Sequence, residues 1–372
     1  MIDFIPLSIY TTLFNYLILL MVLVTVVQGY AGVLLNRTLI KIQVPWGILI
    51  SIILILYIGL RPISGYYFGD TSNYALSYDR IQMGLTDSDG GTEWVFNGLM
   101  WWFANNDFSV HIFFLFCTSL YIGFYWLCTR RLFGQFYFVP LLVSMSMFIF
   151  FTNTVNAIRT GIAISALLGA MSYKKNLLVV IFLCAFSYFT HNSAILVIIS
   201  GILAWFIKNP KYYILAWLLS IIASLTVGNA VANLFLALGI ADDRLASYLD
   251  TADQYASSFS KTGFRWDFLL FSSMPIILGA YFIFKRNFKD PTYIWIYNIY
   301  VISNSFWVIV IRAAFSNRFA MLSWIIMPIV LIYPFYKKRF WANQSQMISH
   351  ALILFYIYTF YTNVIYGGFK LF

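Results

Sequence analysis

FFTNTVNAIRTGIAISALLGAMS, residues 150–172, is apolar apart from a polar entry around Asn156 and Arg159. Its apolar part, from about residue 157 onward, predicts a helix that spans a membrane. Small residues recur four apart, at Gly161, Ser165 and Gly169. This spacing allows close helix contact, whereas Asn156 and Arg159 are three apart and are predicted to share another face. We therefore expect one side of this helix to pack and the other to direct polar groups into a cavity.

The rest of the chain repeats this apolar character between short polar loops. The predicted spans are 8–28, 46–60, 109–128, 136–151, 157–173, 176–190, 193–207, 212–238, 267–284, 292–311, 318–336 and 347–366. Since a spanning helix needs roughly 20 apolar residues, we predict an all-α, polytopic membrane protein of about 12 transmembrane helices. Residues 1–372 are predicted to form a single integral membrane domain.

The charged residues sort into two sets of loops. One set holds 14 basic residues and a single acid, Asp290. These basic residues are Arg37, Lys41, Arg130, Arg131, Lys174, Lys175, Lys208, Lys211, Lys285, Arg286, Lys289, Lys337, Lys338 and Arg339. Because Lys and Arg concentrate in cytoplasmic loops, this set is predicted to face the cytoplasm, with both termini outside.

The second set of loops holds the other 9 basic residues and 12 of the 13 acids, and 7 of those 9 basic residues are Arg. A preference for Arg over Lys indicates a need for a planar, permanently charged group that can hold phosphate or carboxylate. The outer face is therefore predicted to carry the functional site.

Composition excludes several classes of protein. The chain has 372 residues, of which 62% are hydrophobic and 10% charged, with a mean hydropathy of +0.82, unlike any soluble domain of this size. The net charge of +10 comes mostly from short cytoplasmic loops, so no nucleic acid partner is expected. The sequence contains no GxGxxG, P-loop, GxSxG or HExxH motif. We expect neither a metal ion nor a cofactor.

Two long loops are predicted on the outer face, at 61–107 and 241–266. Residues 93–103 of the first loop carry aromatic residues at five positions and predict a short interfacial helix, because Trp rings favour the headgroup level. The second loop has helical periodicity and is expected to lie across the outer surface.

Arg159 and His191 are the strongest candidates for catalysis. Arg159 lies about one turn inside a predicted span, where a charge is costly and tends to mark function. His191 lies at the outer boundary between two apolar runs, and His is the natural proton acceptor near neutral pH. The alternatives are an arginine that extends towards the headgroups and an interfacial histidine with a hydrogen-bonded partner.

Asp70 and Glu93 are two further candidates in the first outer loop. Either carboxylate could accept a proton from a sugar hydroxyl or hydrogen-bond several hydroxyls, and either could be a solvated loop acid. Sequence alone leaves open which of His191, Asp70 and Glu93 is the general base. Tyr74 and Trp94 in the same loop could stack on sugar rings, although an interfacial belt needs such residues equally.

Three arginines at predicted helix ends are expected to reach the same level of the membrane. They are Arg265, Arg312 and Arg318, with Arg61, Arg80 and Arg244 as weaker candidates. Convergence of arginines suits a diphosphate held at the outer leaflet. The alternative is that they anchor helix ends or pair with Asp267 and Asp70.

Five motifs occur in a fixed order along most of the chain. They are G-D-T-x-x-Y at 69–74, E-x-x-x-N at 93–97, N-x-I-R-x-x-I-A at 156–163, H-x-S-A at 191–194 and R-F at 318–319. This series resembles the EpsG/Wzy family of polysaccharide polymerases. Thr160 departs from the family pattern, which has Gln after the arginine.

The resemblance implies a fold similar to GT-C-type membrane glycosyltransferases. It implies transfer of a growing glycan from undecaprenyl diphosphate to the non-reducing end of an incoming lipid-linked repeat unit, at the outer face of the bacterial inner membrane. The product would be O-antigen, capsule or exopolysaccharide. The implied partners are a chain-length regulator and a flippase, and Asn97 becomes a further glycan contact.

Charge on the leaving diphosphate would be stabilised by arginines. Arg159 and Arg318 are assigned this role first, then Arg265 and Arg312. Asn156 is expected to bind the lipid diphosphate together with these arginines. Two other functions stay open, an O-antigen-ligase-like glycosyltransferase and a polysaccharide transporter or flippase. A transporter is expected to carry polar residues at mid-membrane in two related halves, whereas the charges here gather at one face.

Overall fold

The computed structural model describes residues 2, 4–38, 40–85, 91–237, 264–312 and 316–366, without the side chains at 41–43, 227–237 and 366. Every regular element in these ranges is a helix, which confirms the predicted all-α class. The chain forms two compact units. The first unit comprises Met1–His191 and Phe335–Phe372, and the second comprises Asn192–Pro334. A single membrane domain over 1–372 stays a prediction.

The helices follow one another with short connections wherever the chain is described. Those that begin in the first half are α1 (Leu7–Tyr30), α2 (Ile40–Gly59), α3 (Gly65–Phe68), α4 (Thr71–Gln82), α5 (Trp94–Asn105), α6 (Val110–Phe133), α7 (Phe138–Met145), α8 (Ile149–Val155), α9 (Ile158–Ser172) and α10 (Leu177–Thr190). The remainder are α11 (Ala194–Phe206), α12 (Pro210–Ala237), α13 (Trp266–Ala280), α14 (Pro291–Ile309), α15 (Asn317–Trp324), α16 (Met327–Lys337) and α17 (Gln344–Phe360).

Each predicted span coincides with one helix or with two consecutive helices. Among the described residues, five helical segments are long and apolar enough to cross a membrane. They are Leu7–Tyr30, Val110–Phe136, Trp266–Lys285, Asn317–Lys337 and Gln344–Ile365. Shorter apolar helices occupy several of the other predicted spans. The chain therefore has the helices of a polytopic membrane protein.

The predicted span 136–151 is not one straight helix. It contains α7 and the start of α8, and the two helices are bent by 75°. The break falls at residues 146–148, where the Ser146 N–H still donates to the Leu142 carbonyl of α7 at 2.8 Å.

The small-residue face of α9 packs closely, as predicted. A Cβ atom on Gly161 would lie 2.5 Å from the Asn153 carbonyl oxygen, and one on Gly169 would contact Leu183 at 3.5 Å. The Ser187 hydroxyl of α10 donates to the Ala163 carbonyl of α9 at 2.7 Å. α9 is thereby held between α6, α8 and α10.

The prediction that Asn156 and Arg159 share a helical face is wrong. α8 ends at Val155, and Asn156 (φ −109°, ψ −56°) and Ala157 (φ −98°, ψ 49°) separate it from α9. Asn side chains compete with the helical backbone for hydrogen bonds, and Asn156 Oδ1 accepts from the Asp70 N–H at 2.9 Å. Arg159 therefore lies in the first turn of α9.

The first predicted outer loop is largely helical where it is described. The helix predicted over 93–103 is present as α5, whereas α3 and α4 were not expected. α4 packs against α5, and α5 packs against α10. Of the second predicted outer loop, residues 241–263 lie outside the described residues.

The second unit is centred on α14, which packs against α11, α12, α13 and α15. Three of its buried side chains form a hydrogen-bonded chain. Asn304 Oδ1 accepts from Trp217 Nε1 at 2.9 Å, and Asn304 Nδ2 donates to Ser323 Oγ at 3.0 Å. Neutral pairs of this kind satisfy polar groups that have left water.

Candidate functional site

Glu93 is the centre of a buried network of charged side chains in the first unit. Its Oε2 pairs with Arg159 Nη1, and its Oε1 lies 2.6 Å from His191 Nδ1. The Glu93, Arg159 and His191 side chains are 9%, 21% and 11% exposed. A carboxylate that has left water needs partners, and here each oxygen has one. The structure thus joins three of the residues predicted to be catalytic.

All three residues lie where a helix begins or ends. Glu93 precedes α5, Arg159 lies in the first turn of α9, and His191 follows α10 with an extended backbone (φ −156°, ψ 116°). α9 and α10 pack against one another across a short connection, which makes them antiparallel neighbours. The end of α10 therefore returns His191 to the level of Arg159.

The contact with Glu93 decides which His191 nitrogen is basic. A carboxylate only accepts hydrogen bonds, so Nδ1 carries the proton and donates to Glu93 Oε1. In the neutral ring the lone pair is then on Nε2, which makes no hydrogen bond to any residue that the structure describes. The Glu93–His191 pair has the arrangement of an oriented general base.

Arg159 keeps hydrogen-bond donors beyond those used in its ion pair. Its Nε donates to the Tyr74 hydroxyl oxygen at 3.3 Å, and its guanidinium carbon lies 5.7 Å from the Tyr74 ring centroid. Burial raises the pKa of Tyr74, so the phenol is neutral at pH 7 when it accepts this bond. Nη2 has no hydrogen-bond partner within the described part of the chain. It can therefore bind a phosphate oxygen.

Asp70 and Asn156 are joined through the backbone. The Asp70 N–H bonds Asn156 Oδ1, while the Asp70 carboxylate accepts from Asn73 Nδ2 at 3.2 Å. Gly69 has φ +58°, and a Cβ atom there would lie 2.5 Å from Asn156 Oδ1. Glycine is required at this position both by the left-handed backbone and by the close approach of Asn156. Asn156, predicted to hold the diphosphate, thus uses its oxygen to fix the Gly-Asp turn.

Trp94 and Asn97 lie on α5 directly after Glu93. Trp94 is 55% exposed, and its ring centroid is 4.8 Å from that of Phe189 on α10. Asn97 lies one turn further along α5 and is half-buried. An exposed aromatic ring next to the buried network offers a surface on which a sugar could stack.

Arg265, Arg312 and Arg318 belong to the second unit. Arg265 donates through Nε and Nη2 to the two carboxylate oxygens of Asp267, at 2.9 and 2.6 Å, which is the pairing anticipated as an alternative. Arg312 Nε donates to the Ser224 carbonyl at 3.1 Å. Arg318 is exposed near the start of α15. Diphosphate binding by these three arginines stays a prediction, and the fork of Arg265 already holds a carboxylate.

The contact between Arg61 and Thr71 was not predicted from the sequence. Arg61, a weaker phosphate candidate by sequence, is fully buried and donates to Thr71 Oγ1. Its position after an apolar run is the only indication in the sequence, and this position does not distinguish a buried arginine from an interfacial one.

Within the described ranges, no group of three or more His, Cys, Asp or Glu side chains is placed to hold a metal ion.

Comparison with known proteins adds a family to this geometry. A family model described as the EpsG family matches residues 44–372. Comparisons with curated proteins and with solved structures each found no match. The matched range contains Glu93, Arg159 and His191 and extends over most of the 372 residues. The resemblance found in the motifs is confirmed, and the chain belongs to the EpsG family.

Proposed function

We propose that this protein is a polysaccharide polymerase that transfers a growing glycan from undecaprenyl diphosphate to the non-reducing end of an incoming lipid-linked repeat unit. Membership of the EpsG family supports a polysaccharide polymerase in general. The contact of one carboxylate, Glu93, with both Arg159 and His191 supports the more detailed proposal. Glycosyl transfer from a lipid diphosphate needs a base for the acceptor and a cation for the leaving group, and this network contains both.

His191 is the proposed general base. The acceptor hydroxyl gives its proton to Nε2 while its oxygen attacks the anomeric carbon, and the bond from that carbon to the diphosphate oxygen breaks. The imidazolium that forms lies against the Glu93 carboxylate, which stabilises it. Glu93 itself is a poorer base because both of its oxygens are engaged, and the Asp70 carboxylate accepts from Asn73.

Arg159 is the proposed cation for the leaving group. Negative charge develops on the bridging oxygen of the lipid diphosphate, and a preorganised guanidinium stabilises it. Before the reaction, Glu93 neutralises Arg159. Once His191 is protonated, the same carboxylate is shared between two cations, and the network gains a net positive charge as the diphosphate gains its negative charge. Proton uptake and departure of the diphosphate therefore favour each other.

Tyr74, Trp94 and Asn97 are the proposed glycan contacts. Trp94 offers an exposed ring, and Tyr74 is already in contact with Arg159. Ring stacking with a polar group alongside is a common way to bind a sugar. Arg318, Arg312 and Arg265 stay proposed ligands of the lipid diphosphate.

The proposed membrane arrangement has twelve spans, a GT-C-like fold and both termini outside. It places the protein in a bacterial inner membrane with its site facing the periplasm or exterior. α9 supports this orientation, because Arg159 lies at its start and Lys174 and Lys175 follow its end. If the lysines face the cytoplasm, Arg159 faces the opposite side. A flippase that delivers the substrate and a chain-length regulator are the proposed protein partners.

The test is a polymerisation assay in nanodiscs. Purified protein is incubated with its undecaprenyl-diphosphate-linked repeat unit, without nucleotide, and the products are separated on a gel. Wild type should give a ladder, while His191→Ala and Arg159→Ala should each reduce its rate of formation about 100-fold or more. His350→Ala is the matched control, because that histidine contacts Tyr30 and lies outside the network.

Each result of this assay has a separate meaning. If every variant formed the ladder at the wild-type rate, the polymerase function would stand and the proposed roles of His191 and Arg159 would be wrong. Transfer of a single unit to a different acceptor would instead indicate a ligase. Intact substrate with no product, combined with movement of the lipid-linked unit between leaflets, would indicate a flippase.

A further inference from the structure

Arg61 is a buried cation with neutral partners. It lies between α2 and α3 and is 0% exposed. Its Nη1 donates to the Ile58 carbonyl at 2.9 Å, its Nη2 donates to Thr71 Oγ1 at 3.0 Å, and its guanidinium carbon lies 4.6 Å from the Phe114 ring centroid. No carboxylate contacts it among the described residues. Burying a charge in this way is costly. The hydrogen bonds that Arg61 makes therefore indicate why an arginine occupies this position.

Thr71 extends the contact of Arg61 to another helix. Thr71 is 0% exposed, and its hydroxyl donates to the Val155 carbonyl at 2.5 Å. A hydroxyl has one proton and two lone pairs. With the proton directed to Val155, the oxygen is free to accept from Arg61. The positive charge of Arg61 polarises the hydroxyl and strengthens its bond to Val155.

Val155 is the last residue of α8 and precedes the break that leads into α9. Carbonyl groups at the end of a helix lack intrahelical partners, and Thr71 supplies one here. The next residue, Asn156, is held by the N–H of Asp70. Two neighbouring residues, Asp70 and Thr71, therefore fix two consecutive residues at the break.

α4 connects this break to the Arg159 side chain. Thr71 is the first residue of α4, and Tyr74, one turn later, accepts a hydrogen bond from Arg159 Nε. A displacement of α4 from the end of α8 would therefore move both the backbone before Arg159 and a partner of its side chain. Either movement would separate Arg159 from Glu93.

We propose that Arg61 and Thr71 are positioning residues, which hold the α8–α9 break so that Arg159 meets Glu93. The inference rests on the proposed polymerase function. Neither residue contacts the substrate, and both act through Arg159. Their loss should therefore lower turnover much more than it changes the substrate concentration needed for half-maximal rate.

Paired substitutions at Thr71 test this role. Thr71→Val keeps the shape of the side chain and removes the hydroxyl, and it should lower kcat about 10- to 100-fold while KM changes less than about twofold. Thr71→Ser retains the hydroxyl and should restore most of the activity. Thr25→Val is the matched control, because Thr25 is also buried but donates within its own helix, to Met21. Wild-type kcat in Thr71→Val, or equal losses in the Val and Ser variants, would overturn the proposal.

Amide hydrogen exchange provides a readout that does not depend on activity. Thr71→Val and Arg61→Gln should each speed exchange about tenfold in the segment around the α8–α9 break, and α17 serves as the internal reference. Unchanged exchange at the break would contradict the positioning role even if activity fell. Absence of polymerase activity in the wild-type protein would contradict the proposed function. The exchange measurement would still decide whether Arg61 and Thr71 hold the α8–α9 break.

Discussion

Arg159 and Arg265 both lie at the start of a helix, and each pairs with a carboxylate. Arg159, in the first unit, pairs with Glu93 from a distant part of the chain, and the Glu93 side chain is 9% exposed. Arg265, in the second unit, pairs with Asp267 in the adjoining turn, and the Asp267 side chain is 57% exposed. Glu93 also contacts a third residue, His191.

The exposure of the carboxylate, rather than that of the arginine, separates these two ion pairs, because the Arg159 and Arg265 side chains are similarly exposed, at 21% and 23%. An exposed ion pair is screened by water and contributes little. A buried carboxylate interacts more strongly with its neighbours, and removing one member leaves an uncompensated charge. The Glu93 pair is therefore expected to be indispensable and the Asp267 pair dispensable.

Glu93→Gln should have the largest effect. The amide keeps the shape of the side chain but cannot stabilise an imidazolium or neutralise Arg159, so the polymerisation rate should fall about 1,000-fold. The rate of consumption of the lipid-linked repeat unit in nanodiscs measures this loss. Glu93→Asp keeps the charge on a shorter chain and should be less impaired. A Glu93→Gln rate within about tenfold of wild type would contradict the central role of the carboxylate.

Tyr74→Phe should have an intermediate effect. The ring remains, but Arg159 Nε loses the hydroxyl that accepts its hydrogen bond. Loss of one such bond beside a charged group should slow polymerisation about tenfold. Gel densitometry of early time points would show it. An unchanged rate would mean that Glu93 alone holds Arg159 in place.

Asp267→Asn should have the smallest effect. The pair is local and exposed, so the free energy of unfolding should change by less than about 1 kcal/mol and polymerisation by less than about twofold. Thermal unfolding in detergent and the nanodisc assay measure the two quantities. If Asp267→Asn impaired polymerisation as much as Glu93→Gln, the two ion pairs would be equally important for activity. That result would support Arg265 as a ligand of the diphosphate.

Hydrophobic runs located the helices because a long apolar segment in a membrane has few alternatives to a helix. The same reasoning missed α4, whose composition is mixed and which packs against α5. It also placed Asn156 on a helix, because a spacing of three from Arg159 is equally compatible with a continuous turn. The break became visible only with the hydrogen bond from Asp70.

Candidate residues were identified one by one, since an arginine within an apolar run or a histidine at its edge carries a cost that sequence reveals. The partners of these residues were not predicted, because the order of residues along the chain does not specify which carboxylate contacts which cation. Asp70 and Glu93 were equal candidates by sequence, and the structure places Glu93 in contact with Arg159 and His191. Likewise, the charge of Arg61 was evident from its residue type, while its burial against Thr71 depends on packing between distant segments. Local composition specifies helices and charges, whereas long-range packing determines which charges lose water and come into contact.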